Sequence, residues 1–183
     1  MAKRGETRER LLRTAAGLFR TQGYHATGLN QVIAEGGAPK GSLYFHFPGG
    51  KEQLAVESVA LSAGEVHTSM RAVDDLDGAL ALFGEHLVAS DFKNGCPVAT
   101  VALDAAAESE PIREACATAY ASWHDVVVEF LVRQGVSVSR APGLATTVLA
   151  AVEGALLLAK TQRDVAPLRQ IAADLRVLIE GAR

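Results

Sequence analysis

Residues 36–54 read GGAPKGSLYFHFPGGKEQL. Two glycine pairs, Gly36-Gly37 and Gly49-Gly50, bracket a stretch that carries Lys40, Ser42, Tyr44 and His46, with Lys51 just beyond and no acid until Glu52. A core helix has no use for such a set. Three readings compete: a nucleotide loop, a catalytic patch, or a short helix aimed at a polyanion. Neither GxGxxG nor GxxxxGK[ST] is present, and the glycines flank a helical stretch instead of following a strand, so the nucleotide loop fails. Ser42 has no carboxylate close by in sequence and no GxSxG around it, and the five histidines (His25, His46, His67, His86, His124) show no i,i+4 pairing. No catalytic residue, metal site or cofactor is therefore expected, and the protein reads as a non-enzyme.

Working outward, a first helix is predicted from Thr7 to Gln22, with Leu11, Ala15, Leu18 and Phe19 on one face and Gly23 as its stop. Thr27 suits the N-cap of a second, short helix with Leu29, Val32 and Ile33 as its apolar stripe, ended by Gly36-Gly37. Pro39 suits the first turn of a third, whose buried side is Leu43 and Phe47. That third helix has about two turns and is too short to stand alone, so packing must hold it. A long helix, a glycine turn and two short helices make a helix-turn-helix. Further helices are predicted over Lys51–Met70, Asp77–Ser90, Pro97–Glu108, Pro111–Gly135, Pro142–Thr161 and Pro167–Ile179, with no alternating strand pattern. The expectation is an all-α chain of about nine helices, with the helix-turn-helix in residues 1–50 and a larger helical part in residues 51–183.

Charge supports the polyanion reading. Residues 1–51 hold eight Lys and Arg against three Asp and Glu, a net of +5, while residues 52–183 hold ten against eighteen, a net of −8. A recognition helix enters the major groove of DNA with its N-terminal residues towards base edges. Lys40 can reach guanine acceptors, Ser42 either kind of edge, and Gly41 lets the backbone approach closely. Tyr44 and His46 suit phosphate oxygens, as does Lys51, a cation in a helix's first turn where free N–H groups await an anion. Thr27 can offer hydroxyl and N–H to a phosphate in the same way. Two cysteines, Cys96 and Cys116, twenty positions apart and outside any CxxC, fit a reduced cytoplasmic setting. The N-terminal MAKRGETRERLL has no signal-peptide apolar stretch.

The run LFRTQGYHATGLNQVIAEGG over 18–37, followed by APKGSLYFHFPGGKEQL over 38–54, resembles the DNA-binding domain of the TetR family of bacterial transcriptional regulators. GCPVATVALDAAAESEPIREAC over 95–116 is similar to the LmrA/YxaF-like branch and extends the likeness into the regulatory part. Pro39 departs from the commoner Ser or Thr at that position, and the order Tyr44-Phe45-His46-Phe47 is a second departure. The resemblance implies a homodimer that binds a palindromic double-stranded operator, represses transcription, and is released by a small-molecule effector, with residues 1–50 the DNA-binding domain and residues 51–183 the ligand-binding and dimerisation domain.

For the remainder of the chain, Phe83, His86, Leu87, Cys96, Trp123, Val127 and Phe130 are the candidate ligand-binding residues. The scarcity of basic residues near them favours an apolar or aromatic compound. Residues 141–160, APGLATTVLAAVEGALLLAK, are apolar nearly all round. Pro and Gly at the start, Glu153 near the middle and the many alanines argue against a membrane span. A buried or subunit-interface helix is expected instead, with Leu144, Val148, Ala151, Val152, Ala155 and Leu158 as packing candidates. A DNA-binding regulator without a ligand, and an all-α enzyme with a vestigial helix-turn-helix, are the rival readings.

Overall fold

The computed structural model describes residues 4–39 and 41–183, and the described residues form nine α-helices. These are α1 (Arg4–Ala26), α2 (Leu29–Glu35), α3 (Ser42–His46), α4 (Gly50–Arg71), α5 (Leu76–Ala89), α6 (Pro97–Ala105), α7 (Glu110–Arg133), α8 (Ala141–Gln162) and α9 (Ala166–Glu180). Packing divides the chain into two compact units, one of residues 1–64 and 97–119, the other of residues 65–96 and 120–183. The first thus reaches past residue 50 along the start of α4 and takes in α6.

In the first unit, Leu11, Ala15 and Phe19 of α1, Val32 of α2, Leu43 of α3 and Leu54 and Ala55 of α4 are buried, and Phe47 joins them from the end of α3. The stretch between α2 and α3 is braced from α1. Arg10 Nε donates to the Gly36 carbonyl at 2.6 Å. A β-carbon on Gly36 would fall 2.8 Å from the Val32 carbonyl oxygen and 3.2 Å from a Leu11 methyl, so this close approach requires glycine. Arg8 pairs with Glu57 of α4, its guanidinium 4.8 Å from the Phe47 ring centroid.

Gly23 is the expected stop in a modified form. It sits at φ 84°, ψ 174° and breaks the helical path, and the chain resumes as one further turn to Ala26. Two capping expectations are corrected. The N-cap of α2 is Gly28, with no side-chain cap. Thr27 lies one residue earlier with no exposed surface, its hydroxyl donating to the Gly23 carbonyl at 2.7 Å. The third helix starts at Ser42 rather than Pro39, because Gly41 at φ 94° is left-handed and cannot belong to a right-handed turn. Pro39 contributes its carbonyl, which accepts from the Ser42 N–H at 3.0 Å and the Ser42 hydroxyl at 2.9 Å.

The second unit holds two buried clusters. Val127 and Leu131 of α7 pack with Ala145 and Val148 of α8 and Leu175 and Ile179 of α9. Leu80 and Leu87 of α5 pack with Ala155 and Ala159 of α8 and Leu168 and Ala172 of α9. Asp75 caps α5 by accepting the Gly78 N–H at 2.7 Å. Arg163 closes α8 in the left-handed conformation and pairs with Asp91.

Candidate nucleic-acid interface and regulatory unit

Helix α3 spans five residues, with Leu43 buried and Phe47 buried just after it. The helical period of 100° per residue then fixes what faces outward. Phe45 falls about 200° from Leu43, directly opposite the core, while Tyr44 and His46 flank it at about 100° on either side. Tyr44 and Phe45 are 60% and 59% exposed, Gly41 is exposed, and Ser42 and His46 are half-buried. The Phe45 and His46 rings meet edge to face with centroids 5.0 Å apart. Phe45 carries no hydrogen-bonding group and so stands outside the expected contact set. Its two-residue offset from Leu43 was the available signal. Lys40 lies outside the described residues.

Two of the expected phosphate contacts have internal partners. Thr27, buried with its hydroxyl committed to Gly23, presents no side chain to a ligand, which corrects that expectation. Lys51 Nζ donates to the His25 carbonyl at 3.3 Å and lies 4.5 Å from the Tyr24 ring centroid. Burial lowers the Lys51 pKa, with Asp104 acting in the opposite direction. Burial raises the Tyr24 pKa, with Glu52 and Glu108 adding to the rise. At the start of α4, the Gln53 amide oxygen already accepts the Gly49 N–H at 2.8 Å.

Helix α6 docks on the end of α1. The Asp104 carboxylate accepts the His25 N–H at 2.7 Å, and Glu108 lies 3.4 Å from the His25 ring. A β-carbon on Gly23 would fall 2.9 Å from Asp104 Oδ2. Ser109 donates to Glu52 at 2.7 Å, tying the start of α7 to the first turn of α4.

In the second unit the seven ligand candidates do not form one group. Phe83 and Leu87 belong to the α5–α8–α9 cluster, Val127 and Phe130 to the α7–α8–α9 cluster, and His86 is exposed. Trp123 is buried with its ring against Tyr120, and Cys96 is half-buried beside Glu153. A cavity of about 710 Å³ opens between α5 and α9, floored by Leu80, Gly84, Leu168 and Ala172, and none of the seven lines it. Burial raises the Glu153 pKa, partly offset by its hydrogen bond with Cys96.

Helix α8 has the length and composition of a membrane span, with a mean hydropathy of 1.6 over its most apolar stretch. In the fold it packs along α9, yet only 22% of that stretch is buried. Of the six interface candidates, Val148 and Ala155 are consumed in the two clusters, and Leu144, Ala151 and Val152 are half-buried against them. Leu158 alone is exposed, at 51%. The outward face of α8 carries Gly143, Thr147, Ala150, Gly154, Leu157 and Leu158, while the other five candidates turn towards α5, α7 and α9.

Residues 11–57 match the model of the tetR family of bacterial regulatory proteins, and residues 72–174 that of the C-terminal domain of LmrA/YxaF-like transcriptional regulators. The chain is 42% identical to the HTH-type transcriptional regulator LmrA of Bacillus subtilis over 184 residues, spanning 96% of this chain and 98% of that protein. It is 41% identical to the Bacillus subtilis HTH-type transcriptional regulator YxaF over 188 residues, 98% of each. A TetR regulator from Chloroflexus aurantiacus superposes with a TM-score of 0.77 at 26% identity, over 98% of this chain and 97% of that one. A TetR-family regulator from Agrobacterium tumefaciens shares the fold with a TM-score of 0.80 at 23% identity, over 98% and 99% of the two chains.

A helix-turn-helix unit joined to a helical regulatory domain defines a DNA-binding transcriptional regulator, not an enzyme. The chain belongs to the TetR family, and its C-terminal domain is of the LmrA/YxaF-like type.

Proposed function

We propose that this regulator is a cytoplasmic repressor that binds a palindromic operator as a homodimer and leaves it when a small apolar or aromatic molecule binds the C-terminal domain. The functional division would fall near residue 50, with recognition before it and sensing and dimerisation after. The observation that carries the reading is the exposed apolar stripe of α8, where Leu157 is 59% and Leu158 51% exposed. Exposed apolar area on this scale is costly unless a partner covers it. A second copy is the fitting partner, since a single five-residue α3 reads too few base pairs for specificity and two copies read a palindrome.

In the dimer, the two α3 helices would lie about 34–36 Å apart, one turn of the duplex, or a multiple of that. Gly41, Ser42, Tyr44, His46 and Lys40 would serve recognition and phosphate contact, and Lys51 would share its ammonium between the His25 carbonyl and a phosphate. An effector that prefers the dimer with mismatched helix spacing shifts the population only by its difference in affinity for the two states. Operator DNA then weakens effector binding by the same factor.

Selection of bound sequences from a random duplex pool, followed by release with compounds found in a thermal-shift screen, tests the whole reading. A palindrome and a releasing compound are the expected results. A palindrome that no stabilising compound releases would leave a ligand-free regulator, and a non-palindromic site would remove the dimer.

A further inference from the structure

We propose that the cleft between α5 and α9 is the effector site, and that it takes a short apolar zwitterion of dipeptide size. Arg169 would hold the ligand's carboxylate and Glu85 its ammonium. The proposal names the effector class for the reading above and rests on it. The two helices run antiparallel. Asp77, in the first turn of α5, pairs with Arg176 near the end of α9 at 3.3 Å. Farther along, Gly84 meets Val165 at the start of α9, where a β-carbon on the glycine would stand 3.5 Å from a Val165 methyl. The Asp77–Arg176 pair joins the two walls, so a partner helix laid along the cleft would have to break it, whereas a small molecule leaves it intact. The volume, about 710 Å³, is that of a small-molecule site. Leu80, Leu168 and Ala172 supply a buried apolar floor, and Val88 adds an exposed apolar wall.

The charges on the walls specify the ligand. At 1.5 Å per residue, Glu85 lies about 12 Å beyond Asp77 on α5, and Arg169 about 10 Å from Arg176 on α9. The two therefore stand at nearly the same level, acid on one wall and base on the other, as Asp77 and Arg176 do. Both line the cavity and both are exposed, yet they do not meet. Among the described residues neither side chain has an ion pair or a hydrogen bond. A ligand with a carboxylate alone would be attracted by Arg169 and repelled by Glu85, and an ammonium alone would meet the reverse. A molecule that carries both groups pairs with both walls. An extended dipeptide spans about 7 Å, enough to bridge two side chains that do not touch, and its two apolar side chains suit the floor.

The test titrates leucyl-phenylalanine into the full chain by isothermal titration calorimetry, at fixed salt and without DNA. One site per chain is expected. Acetylating the amine or amidating the carboxylate is expected to weaken binding about 2- to 5-fold each, the range of an exposed ion pair. Arg169→Gln should lose the same factor for the free peptide and bind the free and amidated forms alike, and Glu85→Gln should behave so towards the acetylated form. Ala81→Trp, at an exposed position on the cleft wall, fills the space and is expected to abolish binding. The exposed positions predict unchanged unfolding midpoints for all three variants. With the selected duplex present, the peptide is expected to release the parent and leave Ala81→Trp bound.

The proposal is overturned if the peptide does not bind, if the free and blocked peptides bind equally, or if Ala81→Trp binds as the parent does. A peptide that binds in the cleft and releases no operator would overturn its role as effector. A parent that binds no duplex would defeat the DNA-binding reading itself, a result distinguishable because the calorimetry contains no DNA.

Discussion

Replacing Gly23 with alanine perturbs the joint between α1 and α6 at a point where the cost can be worked out. The backbone there, φ 84° and ψ 174°, lies in a region that is essentially glycine-only. Holding alanine in it costs about 1–3 kcal/mol. The new β-carbon would also stand 2.9 Å from Asp104 Oδ2, closer than such contacts occur, so the carboxylate must turn away. With it goes the 2.7 Å hydrogen bond from the His25 N–H. That bond has a charged acceptor but an exposed setting, so we assign it about 1 kcal/mol, below the usual range for charged groups. Gly23→Ala is then expected to destabilise by about 2–4 kcal/mol and Asp104→Ala by about 1 kcal/mol.

The double variant separates the two causes. Once Asp104 is gone the β-carbon displaces nothing further, so the pair should cost about 1 kcal/mol less than the sum of the singles. Urea unfolding at one protein concentration gives the values. Gly28→Ala is the control, because its φ is −90° and nothing lies within 4 Å of its β-carbon position. It should cost only about 0.5–1 kcal/mol, as expected of alanine at an N-cap. A Gly23→Ala protein as stable as the parent, or strict additivity with Asp104→Ala, would refute the reasoning.

Leu157→Glu, which places a charge on the exposed α8 stripe, is expected to convert a dimer to monomer in sedimentation velocity and to abolish operator binding, with α-helical content retained. A dimer that survives unchanged would put the interface elsewhere. Glu153→Gln tests the raised carboxyl pKa. The folded chain holds the Glu153 proton more tightly than the unfolded chain, so stability falls as pH rises from about 4.3 through the raised value. The glutamine variant should be more stable than the parent at pH 7, and the gain should vanish as pH falls towards the ordinary glutamate range; a gain independent of pH would contradict this. Ser58 has a buried hydroxyl without a hydrogen-bond partner among the described residues. Ser58→Ala is therefore expected to stabilise by roughly 1 kcal/mol in urea unfolding, and a loss of stability would indicate an ordered water on that oxygen.

The helix inventory was legible because each helix carries its own local signal. Apolar spacing such as Leu11, Ala15 and Phe19, the prolines near the starts of α6 to α9, and Gly23 and Gly135 as stops are properties of short windows. The basic front of the chain and the helix-turn-helix were readable for the same reason. Caps were less legible. Thr27 and Gly28 are both acceptable at an N-cap, and the choice went to Gly28 because the core took the Thr27 hydroxyl.

Partners distant in sequence had no such signal. Nothing in the sequence places Asp104 against the end of α1, 79 residues earlier, or turns Lys51 back onto the His25 carbonyl. On α8, nearly every position is apolar, so periodicity names no inward face. Packing against α7 and α9 makes that choice, burying Val148 and Ala155 and leaving Leu157 and Leu158 outside. Sequence alone determined which segments are helical and where positive charge gathers, since both depend on near neighbours. Tertiary structure decided which atoms remain available to a ligand, because burial is settled only when segments far apart in the chain compete for the same surface.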